Sequence, residues 1–162
     1  MIITFAFGPV AGILTEFIKI LLKVMFRSTT TAFVGELANF CVGASLVLPS
    51  SIIYIFNKTR KGALIGSIVG TLVMTVFGST FNAVYLLPKF AQLYGMDLSK
   101  IIGMGSVINP AVNNVTNFVL LMVVPLNLLK GSLISVITIL LYKKFSYILK
   151  QGNTLRVIKT VK

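Results

Sequence analysis

Residues 37–56 and 62–87 carry no charge at all, and residues 117–142 carry one, Lys130. Each stretch is long enough to cross a bilayer as a helix, because a hydrocarbon core about 30 Å thick takes ~20 apolar residues. Residues 9–26 are a fourth, more polar candidate, interrupted by Glu16, Lys19 and Lys23. The composition agrees: 56% of residues are hydrophobic and 11% charged. The expected fold is therefore all-α, a polytopic membrane helical bundle forming one domain over residues 1–162, with a basic cytoplasmic tail at 143–162.

The charge balance is lopsided, with 15 Lys and Arg against 3 Asp and Glu. In a soluble protein that excess would point to nucleic acid. Here the cations gather at residues 58–61 and along the tail, next to hydrophobic spans, where Lys and Arg mark the cytoplasmic side. Aromatic residues do not interleave them as a nucleic-acid groove requires, so no nucleic-acid partner is expected. The bilayer is the partner that the composition names, and the tail suits anionic headgroups. The chain has no His and a single cysteine, Cys41. That excludes a disulfide framework and a Cys/His metal site, and Cys41 reads as a small apolar residue inside a span.

The chain is apolar from its first residue, without the positive region and cleavage site of a signal peptide. Residues 1–7 read as the last turns of a helix whose beginning is missing. Gly8-Pro9 breaks the run, and Pro at a first helical turn favours a new helix to about Phe26. A Thr-rich loop, the span 37–56 with Pro49 expected to kink it, a tight basic loop at 57–61 and the span 62–87 follow. Residues 88–116 form a long connection expected to hold a short helix on the membrane face. The basic loop at 57–61 and the tail are separated by two spans, which puts both, and the C-terminus, in the cytoplasm. Gly62, Gly66 and Gly70, with Gly8 and Gly12 in another helix, are small residues spaced for close helix packing in lipid.

Polar side chains at membrane depth are costly and mark functional positions. Lys130 has Asn127 one turn earlier on the same face. Asn82 lies in the outer half of its span, and Asn39 and Glu36 at the outer start of theirs. Three helices are thus expected to bring amide or charged groups to one depth, with Phe81, Tyr85 and Phe40 beside them. Flat aromatic surface with a few directional hydrogen-bonding groups suits a planar, polar-edged ligand. Asn127 and Lys130 fit such a site or a structural polar network equally. The stripe Glu16, Lys19 and Lys23 reads first as an internal charge pair or the lining of a wet cleft, and second as direct ligand contact.

A set of motifs then recurs in order: Phe7-Gly8-Pro9-Val10-Ala11-Gly12, Glu16-Phe17-Ile18-Lys19, Asn39-Phe40 with Gly43-Ala44-Ser45, Asn82 through Leu87-Pro88, and Pro125-Leu126-Asn127-Leu128-Leu129-Lys130-Gly131. Through them the chain resembles the riboflavin-binding S components of energy-coupling-factor (ECF) vitamin transporters, over nearly its whole length. The resemblance implies a six-helix fold with both termini inside, in the bacterial plasma membrane. It implies capture of riboflavin from outside, as a transported ligand with no cofactor. It also implies association with a membrane coupling subunit and two cytoplasmic ATPases. By the same analogy Asn127 and Lys130 bond the flavin's polar edge or its ribityl hydroxyls. Asn82 and Asn39 do likewise from neighbouring helices, and Tyr85 or Phe81 packs on the ring. The sequence departs from the family in lacking the first helix, the loop after it and most of the second, so it reads as a truncated frame or gene fragment.

Other classes fit less well. An S component for another vitamin would keep the fold and change the pocket. A non-functional truncated fragment or a purely structural subunit would keep the helices and leave the polar cluster internally bonded. A membrane enzyme would need Ser45, Ser50 or Cys41 as nucleophile, and with no His and three carboxylates a general base is hard to find. No phosphate-binding Gly-Lys-Ser/Thr loop is present, so ATP would be hydrolysed by a partner.

Overall fold

The computed structural model describes residues 1–27, 29 and 31–160, with side chains as far as Tyr142 except at 28 and 30. Every regular element among the described residues is helical. In chain order they are α1 (Ile2–Phe7), α2 (Pro9–Phe26), α3 (Val34–Phe56), α4 (Arg60–Phe81), α5 (Leu87–Leu93), α6 (Leu98–Ile108), α7 (Val115–Phe118) and α8 (Val124–Thr160). A π-helical turn at Asn82–Leu86 joins α4 to α5, and another at Val119–Val123 joins α7 to α8. The expected tail at 143–162 has its side chains outside the described residues, although the α8 backbone continues through it to Thr160. Three continuous helices are long and apolar enough to cross a membrane: Val34–Phe56, Arg60–Leu93 and Val115–Tyr142. They correspond to the three spans expected, with α2 as the more polar fourth helix.

Side-chain contacts fix the packing order. α2 and α3 are antiparallel, because Lys23 meets Glu36 while Gly12 meets Val47. α4 lies antiparallel to α3 on its other side, with Gly66 and Gly70 against Ser50 and Gly78 near Val42. α8 then packs along α4, with Gly131 against Thr71 and Met74 and a Thr71–Ser135 hydroxyl contact of 3.2 Å. α1 touches α2, α3 and α8, filling one end of the cleft between α2 and α8. The end carrying Gly8 and the Asn57–Thr59 turn is called proximal here. The end carrying the α2–α3 turn and α5–α7 is called distal.

The α3–α4 contact is the closest. A methyl group added at Gly70 would stand 2.6 Å from the Leu46 carbonyl oxygen, and one at Gly66 would stand 2.7 Å from that of Ser50. Without hydrophobic drive between helices in lipid, such backbone proximity is what makes association favourable. The small-residue ladder is therefore correct at Gly66 and Gly70. Gly62 instead crowds Asn57 in its own turn. Gly8 packs against nothing and has φ +94°, so its role is to reverse the chain between α1 and α2.

One expected boundary differs by six residues. The span starting at Gly62 does not end at Leu87 but runs on to Leu93, through Pro88. The reason is the π turn: the Leu87 N–H donates to the Asn82 carbonyl, five residues back, immediately before Pro88. The Val124 N–H donates to Val119 in the same way, immediately before Pro125. Such local π adjustments absorb the donor that proline lacks and the clash of its ring. α3 continues through Pro49. The connection at 88–116 does hold a short helix, α6. Leu98 and Ile101 pack with Leu87, Val119 and Val123 into a small apolar cluster, leaving Met104, Val107 and Ile108 exposed.

Gly70→Ala is expected to destabilise the bundle by about 1–3 kcal/mol, the usual cost of overpacking a tight contact. Gly103→Ala, where an added methyl meets nothing within 4 Å, is expected to be neutral or stabilising. Thermal unfolding of both variants in detergent micelles checks the pair.

Candidate ligand-binding site

Two of the expected residues anchor the site from α8. Asn127 reaches α4 where Gly78 has no side chain: a methyl at Gly78 would lie 2.9 Å from Asn127 Nδ2 and 3.4 Å from Val42. The amide thus lies at the level where α3, α4 and α8 meet. One turn towards the proximal end, Gly131 packs against Thr71 and Met74, which sets the level of its neighbour Lys130. Lys130 is exposed rather than enclosed, and its electrostatic neighbours are Lys19 and Glu16 on α2. The expectation that Lys130 meets an acceptor inside the bundle is not met among the described residues. The side-chain amides of Asn39, Asn82 and Asn127 likewise have no hydrogen-bond partner there. Polar groups at membrane depth without an internal partner are available to a ligand, because a bond gained there replaces none already made.

The opposite wall is α2. Glu16 forms an ion pair with Lys19 one turn on, and its carboxyl group rests on the bare Cα of Gly43, where an added methyl would collide with it. Gly43 follows Val42 on α3, so Glu16 and Asn127 occupy the same level on two sides of that helix. The floor is apolar: Val42, Leu46 and Met74, with Met1 and Ile134 against them. The Met1 amine lies within electrostatic reach of Glu16 and Lys19. The expected internal charge pair of the stripe is thus present between Glu16 and Lys19.

The remaining expected residues are spread along the helices instead of gathering at one depth. Asn39 and Asn82 each lie one turn further towards the distal end, Asn39 exposed and Asn82 half-buried at the start of its π turn. Phe40 is half-buried and meets Phe17 of α2 edge-on, with ring centres 6.4 Å apart. Phe81 and Tyr85 do stand together, stacked at 5.1 Å, and Phe77 extends the ladder at 5.6 Å. Their spacing of four puts one ring above the next on a helix face. Phe77, four residues before Phe81, belongs to the ladder by the same spacing, which the sequence alone displays.

Glu36 sits two turns beyond Gly43, about 10 Å along the helix at 1.5 Å a residue. It is buried, and it accepts from Lys23 Nζ at 3.2 Å, Thr31 Oγ1 at 3.1 Å and Thr29 Oγ1 at 3.3 Å. Ala32 and Phe33, between these partners, have positive φ of 45° and 65°, a conformation unfavourable for residues with a Cβ. Glu36 therefore clasps the α2–α3 turn over the distal end of the cleft. Its partners Thr29 and Thr31 carry no motif, so only the folded loop identifies them. Glu36→Gln is expected to weaken this clasp and to raise amide hydrogen exchange across residues 31–36 while leaving α4 unchanged, which exchange mass spectrometry checks.

Comparison with known proteins gives consistent similarities. Residues 1–142 match the protein family described as "ECF transporter, substrate-specific component". The riboflavin transporter RibU of Staphylococcus aureus is 36% identical over 152 residues, covering 93% of this chain and 72% of that protein. The riboflavin transporter FmnP of Bacillus subtilis is 26% identical over 151 residues, covering 91% and 73%. Among solved structures, one described as the S component of a bacterial ECF transporter superposes with a TM-score of 0.65 at 37% identity, over 91% of this chain and 73% of that one.

Proposed function

The chain belongs to the family of ECF transporter substrate-specific components, and on that premise we propose that it captures riboflavin for uptake across the bacterial cell membrane. The observation that carries the choice of vitamin is the 36% identity with a riboflavin transporter along 93% of the chain. The cleft supports it chemically. A flavin has a flat apolar ring system with alternating donors and acceptors along one edge and a hydroxylated side chain. Asn127, Lys130, Asn82 and Asn39 offer amide and ammonium groups with no hydrogen-bond partner among the described residues, and the Phe77–Phe81–Tyr85 ladder offers flat surface.

The proposed roles are compatible with that arrangement. Asn127 and Lys130 bond the polar edge or the ribityl hydroxyls. Asn82 and Asn39 contribute from α4's π turn and from α3, and Tyr85, Phe81 or Phe40 packs on the ring. Glu36 serves the site by holding the distal turn in place. The protein itself is a carrier subunit without catalysis. Its ATP-driven step belongs to two cytoplasmic ATPases, coupled through a transmembrane partner of the ECF module. The basic turn at 57–61 and the C-terminus face the cytoplasm, and the distal end faces outside, where the vitamin enters.

Quenching of flavin fluorescence by the purified chain in detergent tests the reading, with biotin and thiamine as competitors. Saturable binding that neither competitor displaces supports riboflavin. Displacement by another vitamin points to that vitamin instead. Lys130→Ala and Asn127→Ala are each expected to weaken riboflavin binding by about 1–3 kcal/mol, the range for removing a partner from a buried hydrogen bond. Unchanged affinity in both would place the site elsewhere.

A further inference from the structure

The opening turn of α4 carries Arg60 and Lys61, which riboflavin capture leaves unused. The chain just before it is tightly built. Thr59 Oγ1 donates to Asn57 Oδ1 at 3.0 Å and accepts from the Gly62 N–H at 3.1 Å, and a methyl group at Gly62 would collide with the Asn57 carbonyl oxygen. The two cations therefore leave the bundle from a fixed point. Both are exposed, and neither forms an ion pair among the described residues. The carboxylates of the chain lie elsewhere: Glu16 pairs with Lys19, Glu36 pairs with Lys23, and Asp97 precedes α6 at the distal end. Cations at a helix N-terminus add to the positive end of its dipole, and no acidic residue in the first turn of α4 offsets them. An anion from outside the chain is what would neutralise this end.

The surface below the cations selects the kind of anion. Leu64, Ile65, Ile68 and Leu72 continue from Arg60 and Lys61 at helical spacings of three and four, so they share one face of α4. These four are 43%, 51%, 51% and 54% exposed, so the bundle leaves that face uncovered. From Lys61 to Leu72 the face runs about 16 Å at 1.5 Å a residue, the depth of one leaflet of a core about 30 Å thick. Lys and Arg lay their apolar stems along such a surface and keep their charged heads at its edge. A phosphate at the level of the cations with acyl chains along the strip satisfies both parts, whereas an acidic protein segment would answer only the charge. We propose that Arg60 and Lys61, with the apolar strip beneath them, form a binding site for an anionic phospholipid of the phosphatidylglycerol type in the leaflet at the proximal end. The site is separate from the riboflavin reading and does not depend on it. The bound headgroup fastens the start of α4, the helix on which α3 and α8 both pack.

The chain has no tryptophan, so Ile65→Trp introduces a single reporter of the lipid lying against the strip. This chain is reconstituted into phosphatidylcholine vesicles that hold, at the same mole fraction, either acyl-brominated phosphatidylglycerol or acyl-brominated phosphatidylcholine, whose bromines quench tryptophan on contact. The brominated phosphatidylglycerol is expected to quench about twofold more strongly, because basic residues near the surface enrich anionic lipid beside them. Arg60→Gln with Lys61→Gln is expected to abolish that difference, and Arg60→Lys with Lys61→Arg, which keeps both charges, to retain it. Lys159→Gln with Lys162→Gln removes the same charge from the tail and is expected to leave the difference unchanged. Equal quenching by the two lipids with Arg60 and Lys61 intact overturns the proposal and leaves these cations to an acidic protein partner. A preference that survives the paired Gln changes at 60 and 61, or that is lost when both charges are kept, overturns it as well. Equal loss in the tail variant and in the paired Gln variant also overturns it, since the attraction would then be one of net charge and not of a site.

Discussion

Everything in this bundle is referred to the contact between α3 and α4, where two backbones approach over glycine. Gly66 and Gly70 leave no room for even a methyl group against the Ser50 and Leu46 carbonyl oxygens. In a membrane the apolar surfaces of two helices gain nothing from leaving lipid, so the stabilising quantity is dense packing itself. That contact fixes α4, and α4 in turn fixes α8 through a second set of small residues: Gly78 below Asn127, Gly131 on Thr71, and hydroxyls at Thr71 and Ser135. The polar groups of α8, Asn127 and Lys130, thus inherit their position from a contact that is itself remote from them.

The two π turns translate this packing into a site. Each precedes a proline by one residue, and each donates a hydrogen bond five residues back at that point. A π turn adds a residue to the helical count, so side chains beyond it point about 100° away from where regular 3.6-residue periodicity would place them. Asn82 opens one such turn, and Asn127 and Lys130 follow the other. Asn127 and Lys130 therefore owe their direction to such an irregularity, whereas Asn82 keeps the direction set by α4 before it. The π turn before Pro88 also lets the helix run on past that proline, carrying α5 onward to the small apolar cluster shared with α6 and α7.

Charge is distributed by the same logic. All three carboxylates of the chain are Glu16, Glu36 and Asp97, and the two on the helix walls are both engaged with lysines of α2. One pair lines the cleft and the other clasps the turn above it. Separating these two roles needed coordinates, because both begin as a glutamate beside a lysine on the same short stretch of helix. The stripe Glu16, Lys19, Lys23 reads as one feature in the sequence, yet Lys23 leaves it to join Glu36 on α3.

By itself the sequence determined the class of molecule. Apolar runs of bilayer length point to a helical membrane bundle, and the composition, without His and with one cysteine, offers no Cys/His metal site. The order of the motifs brought the family, and Asn127 with Lys130 stood out because a polar pair at membrane depth is expensive. What only the tertiary structure decided is which glycines are seats and which are turns, where the π irregularities redirect the helix faces, and that the candidate residues spread over several turns instead of sharing one depth. These are long-range facts. Gly43 matters because of Glu16, 27 positions earlier in the numbering, and Gly78 because of Asn127. A glycine's local sequence gives no sign of which side chain it will have to admit, since that is set by how two distant helices cross.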